Sequence, residues 1–311
     1  MSKCLIVGGG GFIGSHLVEL ILKRNNKKLI VAGRHEKPKT LINKNIEYVC
    51  IDPSNLEGLS QVMDQCDEVI DLAYATVPKT SFDDPILDIS ANLPFTVNLL
   101  KLASQKSLRR FMLVSSGGTV YGTPLRLPID ETHPTNPLSP YGITKLATEK
   151  YGLMYHHFQS LPLLIVRPSN PYGPGQRGNI GQGFVSTALF AGKKQKTVKM
   201  FGERGTIRDY IYIKDLVEGI LAALENGIPG EIYNIGTGIG MDNRTILEKI
   251  NHHIKLDGFS LDIEVLPLRP FDVSSNVLSA AKLTYISGWR SQTSFEEGLA
   301  ATWKWVKEST P

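Results

Sequence analysis

A tyrosine and a lysine four residues apart are the residues of this sequence best suited to acid–base chemistry. Tyr141 and Lys145 stand in the segment YGITK, which follows a proline-rich stretch and opens a helical segment. Residues i and i+4 share one face of a helix, so the phenol and the ammonium should project to the same side. A nearby cation favours phenolate, so the pattern predicts a Tyr141 pKa below its usual value of about 10 and a tyrosine that serves as general base.

The segment GGGGFIG near the N-terminus has the spacing of a dinucleotide-binding turn. Gly8, Gly11 and Gly14 recur every third residue, between an apolar strand and a helix. Glycines let the backbone turn tightly and approach a pyrophosphate, and the helix N-terminus stabilises its charge. We therefore predict that this turn, with Phe12 and Ile13, binds a nicotinamide dinucleotide.

The end of the second predicted strand lacks the acid that usually binds the ribose of NAD. The sequence reads VAGRH, with Gly33 in the place of the Asp or Glu and Arg34 beside it. Without a carboxylate nothing repels a 2′-phosphate, and a guanidinium could pair with it. Local chemistry favours NADP, whereas an Arg34 that stacks on adenine or faces solvent leaves NAD usable.

The elements that must position these residues alternate regularly in the first half of the chain. Six apolar strands are predicted, beginning at Lys3, Leu29, Ile46, Glu68, Arg110 and Leu163. The predicted helix over 86–103 contains Pro94, which should kink it or mark a false start. Strands of low polarity separated by helices indicate a parallel sheet covered on both faces. We predict an α/β fold of the Rossmann type, with a doubly wound parallel sheet.

The second half loses this alternation and is rich in Pro and Gly after residue 168. It predicts a smaller, irregular C-terminal lobe at the carboxyl ends of the strands, where open α/β sheets bind ligands. We assign residues 1–168 and about 206–236 to the dinucleotide-binding domain. Residues from about 169 to 205 and 237–311 are assigned to the second, ligand-binding lobe.

The composition is that of a soluble globular protein, with 41% hydrophobic and 21% charged residues and a formal net charge of +4. The basic residues are scattered, which argues against nucleic-acid binding. No apolar run reaches the about 18 residues of a membrane span. Cys4, Cys50 and Cys66 lack metal-ligand spacing and are expected to be buried, reduced thiols. We expect a cytoplasmic protein without a metal.

Further motifs extend the pattern over nearly the whole chain. They are Asp52, VYG at 120–122, RPSNPYGP at 167–174, RDYI at 208–211, NIG at 234–236 and RPFDV at 269–273. With the glycine turn and the Tyr–Lys pair, they make the sequence similar to extended short-chain dehydrogenases/reductases. Within that group it most resembles nucleotide-sugar epimerases and dehydratases, and above all UDP-hexose 4-epimerases.

The resemblance implies that the second lobe, about 169–205 and 237–311, binds a nucleotide sugar, and it implies roles for several residues. Beside the cofactor it places Asp52, Ala73 and Asn92, and around the nucleotide diphosphate it places Asn170, Arg208, Arg269 and Asp272. Two arginines can clamp a diphosphate through charge-assisted hydrogen bonds. The alternative is that they form structural ion pairs with Asp209 and Asp272.

Two positions depart from the family and bear on the site. Tyr74 follows Ala73 where the family often has a glycine, so its ring must point away from the cofactor or shape its site. Asn276 stands where related epimerases gate an N-acetyl group, and a residue smaller than tyrosine leaves room for that group. We expect UDP-Glc/UDP-Gal, UDP-GlcNAc/UDP-GalNAc or both as substrates, and favour acceptance of the acetylated pair.

The segment SSGGTVYG at 115–122 raises the question of the proton relay. Related epimerases carry Ser or Thr three residues before the valine, and here that position is Gly117. Ser116 is the predicted replacement, with Ser115 and Thr119 behind it, because glycines at 117 and 118 leave the loop free to bring Ser116 inward. Otherwise Ser116 only caps backbone amides, and Tyr141 moves the proton alone.

The same segment also argues against one class of reaction, dehydration. A dehydratase needs an acid and a base besides the tyrosine, and residues 117–119 offer no carboxylate. We predict a UDP-hexose 4-epimerase that keeps its NAD or NADP bound. The alternative is an NADPH-dependent nucleotide-4-ketosugar reductase or dehydrogenase, and a remote one is a non-catalytic dinucleotide sensor, a class that typically loses the Tyr or the Lys.

The resemblance further implies a homodimer. Related epimerases pair through the helix of the tyrosine and the helix before the fifth strand. Four apolar residues of the tyrosine helix could form that face or belong to the core: Ile143, Leu146, Tyr151 and Leu153.

Overall fold

The protein is described here by a computed structural model that covers residues 2–36, 46–52, 56–178, 183–267 and 273–309. The strands are β1 (Ser2–Val7), β2 (Lys27–Gly33), β3 (Glu47–Cys50), β4 (Glu68–Asp71), β5 (Arg110–Val114), β6 (Leu163–Pro168), β7 (Asn170–Tyr172), β8 (Val198–Phe201), β9 (Ile207–Tyr212), β10 (Ile232–Ile235), β11 (Gly240–Asp242), β12 (Ile263–Leu266) and β13 (Ser275–Asn276). The helices are α1 (Phe12–Arg24), α2 (Glu57–Met63), α3 (Pro78–Asp83), α4 (Pro85–Ala103), α5 (Pro140–Gln159), α6 (Phe184–Lys193), α7 (Ile213–Asn226), α8 (Asn243–Lys255), α9 (Ala281–Ser287) and α10 (Phe295–Glu308).

Seven parallel strands form the main sheet, in the order β10-β6-β5-β4-β1-β2-β3. Successive side chains of a strand point to opposite faces, and along β1 the buried residues alternate between two apolar clusters. Ile6 packs into the cluster that contains α1 and α7, while Leu5 and Val7 pack into the cluster that contains α2 and α4. The doubly wound α/β fold predicted from the sequence is therefore confirmed.

The order of the strands reverses between β1 and β4. At such a switch point the loops that follow the two strands diverge and leave a crevice at the carboxyl edge of the sheet, where ligands bind in this class of fold. The glycine turn follows β1, and the segment containing Ala73 and Tyr74 follows β4. The two segments therefore line the crevice.

Helix α4 runs without interruption from Pro85 to Ala103 and includes Pro94, so a false start at that proline is wrong. Asp84 caps the helix by accepting a hydrogen bond from the Leu87 amide at 2.9 Å. Proline removes one helical hydrogen bond. Pro94 is exposed, so water can solvate the carbonyl that loses its partner, while Leu99 and Leu100 anchor the opposite face in the core.

The C-terminal region contains a second, four-stranded sheet in which β9 pairs with β7, β11 and β13. Its register places Asn170 beside Tyr210 and Arg208 beside Asn276. The lobe is thus more regular than the sequence indicated, although its strands have only two to six residues. The domain boundaries given above stay a prediction.

The three cysteines are free thiols, and Cys4 and Cys66 are buried. Cys50 is exposed, which corrects the expectation that all three are buried. It ends β3, the edge strand of the main sheet, where no other described strand pairs with the outer side. None of the helices described here has both the length and the apolar character needed to cross a membrane.

Candidate active site

The glycine turn after β1 has a geometry that requires glycine. Gly8 has a φ of +82°, and a Cβ there would lie 2.9 Å from the amide nitrogen of Ala73. A Cβ on Gly14 would lie 2.6 Å from the carbonyl oxygen of Gly8. Gly11 is exposed and caps α1, whose first turn carries no acidic side chain. The turn forms a cradle that fits a pyrophosphate at a helix N-terminus. Phe12 and Ile13 are half-buried directly behind it.

The missing acid at the end of β2 has a steric explanation. A Cβ on Gly33 would lie 2.8 Å from the hydroxyl oxygen of Tyr48 on β3. That hydroxyl donates a hydrogen bond to the carbonyl oxygen of His35 at 2.6 Å. A carboxylate at position 33 would therefore require Tyr48 to move. Arg34 is exposed beside this point.

Three further residues were expected at the cofactor. Ala73 adjoins Gly8, and its amide donates to a carboxylate oxygen of Asp71 at 3.0 Å. Asp52 is exposed after β3. Asn92 of α4 is buried and accepts a hydrogen bond from the amide of Ala75 at 2.7 Å. Asn92 therefore fixes the segment that follows β4.

Tyr141 and Lys145 occupy the first two turns of α5, and both are buried. Ser139 caps this helix by accepting a hydrogen bond from the Gly142 amide at 3.1 Å. The Lys145 ammonium donates to the carbonyl oxygen of Val114, at the end of β5, at 3.0 Å. It lies 5.9 Å from the centre of the Tyr141 ring. The sequence spacing thus brings the two functional groups to one side of the helix, facing the carboxyl edge of the sheet.

The pKa of Tyr141 shifts in the direction opposite to the prediction. Burial raises the pKa of the phenol, and the nearby Asp88 carboxylate raises it further. Burial also lowers the pKa of Lys145 to about 8, against the opposing effect of Asp71, Glu149 and Asp88. The spacing in the sequence showed the cation but neither the desolvation nor the carboxylate of Asp88, which dominate here.

Tyr74 shapes the site and does not point away from it. Its ring packs edge-to-face against Tyr141, with the ring centres 4.9 Å apart. The Lys145 ammonium lies over the same Tyr74 ring, 4.0 Å from its centre. Of the two orientations left open by the sequence, the structure therefore has the one in which the ring contacts the Tyr–Lys pair.

The hydroxyls of the segment 115–119 differ in what they bind. Ser115 donates to the Glu149 carboxylate, and Thr119 donates to the carbonyl oxygen of Ser116 at 3.5 Å. The Ser116 side chain is partly exposed and its hydroxyl makes no hydrogen bond within the described ranges. A Cβ on Gly142 would lie 2.8 Å from the Thr119 carbonyl oxygen, so this loop touches the start of α5.

Gly117 occupies a position that has no room for a side chain. A Cβ there would lie 2.4 Å from the Cδ1 of Leu278 and 3.0 Å from the carbonyl oxygen of Arg167. Leu278 is fully buried, and the Gly117 amide donates to the carbonyl oxygen of Pro168 at 2.9 Å. The serine or threonine expected by resemblance therefore cannot be accommodated without a shift of the loop.

A cavity of about 210 Å³ is lined by residues of β7, β9 and the start of α6. Its lining includes Asn170, Gln176, Phe184, Thr206, Arg208 and Asn243. A Cβ on Gly118 would lie 3.1 Å from the side-chain oxygen of Asn170, which places the cavity directly beside the segment SSGG. An amide and a guanidinium here can bind a nucleotide diphosphate.

Asp209 is buried, and its hydrogen-bond partners are not among the residues that line this cavity. Its carboxylate accepts hydrogen bonds from the amides of Thr237, Gly238 and Leu278 at 3.0–3.2 Å. Asp209 therefore holds the segment after β10, whereas Arg208, half-buried on the same strand, lines the cavity. Arg269 and Asp272 lie outside the described residues.

Asn276 is buried beneath the same loop. Its side-chain amide donates to the carbonyl oxygen of Gly117 at 3.0 Å, so β13 holds the segment SSGG in place.

Sequence reasoning missed Asp71 and Asp88, two buried carboxylates next to the Tyr–Lys pair. Asp71 could have been identified from the sequence, because it is the only acidic residue within the apolar run VIDLA. No sequence feature indicated a role for Asp88.

Comparison with known proteins agrees with this arrangement. The family described as the NAD dependent epimerase/dehydratase family matches residues 4–236. The UDP-glucose 4-epimerase of Mycolicibacterium smegmatis is 33% identical over 309 residues, with 96% of this chain and 97% of that protein covered.

Two solved structures are similar over the whole chain. The Thermotoga maritima UDP-glucose 4-epimerase with UDP-glucose has a TM-score of 0.90 and 29% identity, covering 98% of this chain and 99% of that one. The Thermus thermophilus UDP-glucose 4-epimerase in complex with NAD has a TM-score of 0.90 and 31% identity, covering 99% and 100%. The cradle, the Tyr–Lys pair and these matches together establish that the chain belongs to the NAD dependent epimerase/dehydratase family.

Proposed function

We propose that this enzyme is a nucleotide-sugar 4-epimerase that interconverts the C4 epimers of UDP-hexoses. The observation that carries the proposal is that the buried Tyr141 and Lys145 are connected by contacts to both features. Tyr74, which contacts both side chains, follows Ala73 beside the glycine cradle. The start of α5 lies against the loop whose Gly118 approaches Asn170 of the cavity. A dinucleotide and a nucleotide sugar bound there meet at the catalytic pair. The similarity to UDP-glucose 4-epimerases over almost the full chain supports this reading.

The residues divide the reaction among them. Tyr141 is the general base for the proton of the C4 hydroxyl, and Ser116 relays that proton from the C4 oxygen to Tyr141. When bound, the oxidised nicotinamide supplies a hydride acceptor at C4 and a positive charge that favours the Tyr141 phenolate. Asn170 and Arg208 hold the diphosphate while the 4-ketosugar turns its other face. Tyr141 then returns the proton as the hydride returns to C4.

An assay without added cofactor tests the function. Purified protein should convert UDP-glucose to UDP-galactose, or UDP-GlcNAc to UDP-GalNAc, with no net change in reduced-nicotinamide absorbance. A reaction that consumes NADPH stoichiometrically and is silent without it would identify a 4-ketosugar reductase. Running all four sugars side by side also tests the proposal that Asn276 admits the acetylated pair, since activity on plain hexoses alone would refute it.

We propose NAD as the resident cofactor, in agreement with the family description and with the NAD-bound relative. The exposed guanidinium of Arg34 also offers a partner to the 2′-phosphate of NADP. Arg34→Ala should weaken NADP binding about tenfold, through loss of a charge-assisted pair, and leave NAD binding within about twofold. Calorimetric titration of both dinucleotides measures this. Equal affinities that the substitution does not change would contradict a role for Arg34.

Ser116 is proposed as the relay because its two neighbours with hydroxyls are already hydrogen-bonded. Ser116→Ala should lower kcat by about 10²-fold, the lower end of what a positioned proton donor contributes, with little change in KM. Thr119→Ala is the matched control and should stay within about threefold of the parent. Near-normal turnover of Ser116→Ala would leave Tyr141 as the sole proton carrier.

A homodimer is proposed through α4 and α5, which pack side by side and expose apolar side chains. The exposed ones are Ile86, Leu87 and Ile89 on α4, and Ile143, Tyr151, Met154 and Phe158 on α5. Leu146 and Leu153 pack into apolar clusters and belong to the core. Sedimentation analysis decides the oligomeric state.

We also propose a cytoplasmic location, because the thiols are free and nucleotide sugars are cytoplasmic metabolites.

A further inference from the structure

The ring of Tyr74 contacts both catalytic side chains. The Lys145 ammonium is 4.0 Å from the centre of this ring and 5.9 Å from the centre of the Tyr141 ring. The edge-to-face contact of Tyr74 with Tyr141 fixes the ring in this orientation. A cation this close to the face of a buried aromatic ring is stabilised by the ring quadrupole.

The hydroxyl of Tyr74 has a different environment from its ring. It is buried near Thr144 and Asp88, and no group in the described part of the chain offers it a hydrogen bond of good geometry. Burial raises the pKa of this phenol, so Tyr74 stays neutral over the pH range in which enzymes are assayed. The contact with Lys145 therefore depends on the aromatic face and not on the hydroxyl.

We propose that Tyr74 is a positioning residue of this enzyme, whose aromatic face keeps the Lys145 ammonium charged and fixed at the end of β5. Two contacts hold the ammonium: the Tyr74 ring and the Val114 carbonyl oxygen at 3.0 Å. Neither is a full negative charge, so the ring makes up part of the hydration that Lys145 lost on burial.

Other charged and aromatic groups around Lys145 also affect its pKa. Those that face it are Asp71 on β4, Asp88 on α4, Glu149 and Tyr141 on α5, and Tyr74 itself. Arg167 of β6 is paired with Glu149, and the charged residues of α3 are exposed to solvent. Burial lowers the pKa of Lys145 to about 8, so a modest loss of stabilisation moves its titration into the neutral range.

The test is a carbon-detected NMR titration of lysine Cε in the purified full-length protein, with the Lys145 signal assigned from its loss in Lys145→Arg. Tyr74→Leu keeps the site apolar but removes the aromatic face, and should lower the Lys145 midpoint by about 0.5–1.5 pH units. Tyr74→Phe keeps the face and should hold the midpoint within about 0.2 units of the parent. Tyr285→Leu, at an exposed tyrosine, is the control substitution.

An unchanged or raised midpoint in Tyr74→Leu would overturn the proposal, as would an equal shift in Tyr74→Phe. If Tyr74→Leu fails to fold, trifluorophenylalanine at position 74 weakens the quadrupole without changing the shape and should give a smaller downward shift. The consequence for turnover rests on the proposed function: the alkaline limb of kcat should move with the midpoint. A shift by NMR without one in kcat supports the role of the ring and counts against Lys145 in the proposed reaction.

Discussion

Replacing Tyr141 with Phe is expected to lower kcat by about 10²–10⁴-fold, the range that a positioned general base contributes. Phenylalanine preserves the ring that packs against Tyr74 and removes only the hydroxyl. Binding of UDP-glucose should change little, because Asn170 and Arg208 hold the diphosphate in the proposed site. Steady-state turnover together with calorimetric binding separates the two effects.

Tyr285→Phe is the control, since Tyr285 is an exposed tyrosine on α9, outside the proposed site and the proposed dimer surface. It should turn over within about twofold of the parent enzyme. Turnover of Tyr141→Phe within tenfold of the parent would show that another group takes the C4 proton. Loss of binding as well as turnover would point to a structural role for the Tyr141 hydroxyl.

Replacing Glu149 with Gln should cost about 3–5 kcal/mol of unfolding free energy, because it leaves the buried Arg167 uncompensated. The Glu149 carboxylate accepts from Arg167 Nε at 3.0 Å and Nη2 at 2.6 Å, and also from the Ser115 hydroxyl. All three partners are donors, so an amide group at position 149 must turn its own donors towards one of them. Urea titration of the parent and variant measures the loss.

The double variant Glu149→Leu/Arg167→Met serves as the control. Replacing both members of a buried pair with apolar side chains is often neutral, so it should recover most of the lost stability. Activity should still fall, because Ser115 begins the catalytic loop and loses its anchor. A loss below about 1 kcal/mol for Glu149→Gln would mean that water or backbone groups compensate Arg167.

The fold and the glycine turn could be predicted from the sequence because their signals are local. The apolar runs gave the strands, and glycines three residues apart gave the turn that follows β1. The Tyr141–Lys145 spacing needed only the helical repeat. The predicted false start at Pro94 was wrong because packing of the inner face of α4 keeps the helix continuous. A proline on an exposed face destabilises a helix less than its helix propensity suggests.

The electrostatics of the site depend on contacts that the sequence does not show. Burial raises the pKa of Tyr141, and Asp88, which reaches it from a different helix, raises it further, so the predicted direction of the Tyr141 pKa was wrong. The sequence likewise left two orientations for Tyr74. For Ser116, the choice among three hydroxyls depends on which of them are already bonded, and that is a property of the folded loop.

The hydrogen bond from Asn276 to Gly117 joins positions that are 159 residues apart. Contacts over such distances form after local ones, because the chain between them must first be ordered. During synthesis, the glycine turn and α5 leave the ribosome long before β13 does. In a nascent chain the glycine turn can therefore form early, whereas the loop at Gly117 gains its hydrogen bond from Asn276 only after β13 has been synthesised.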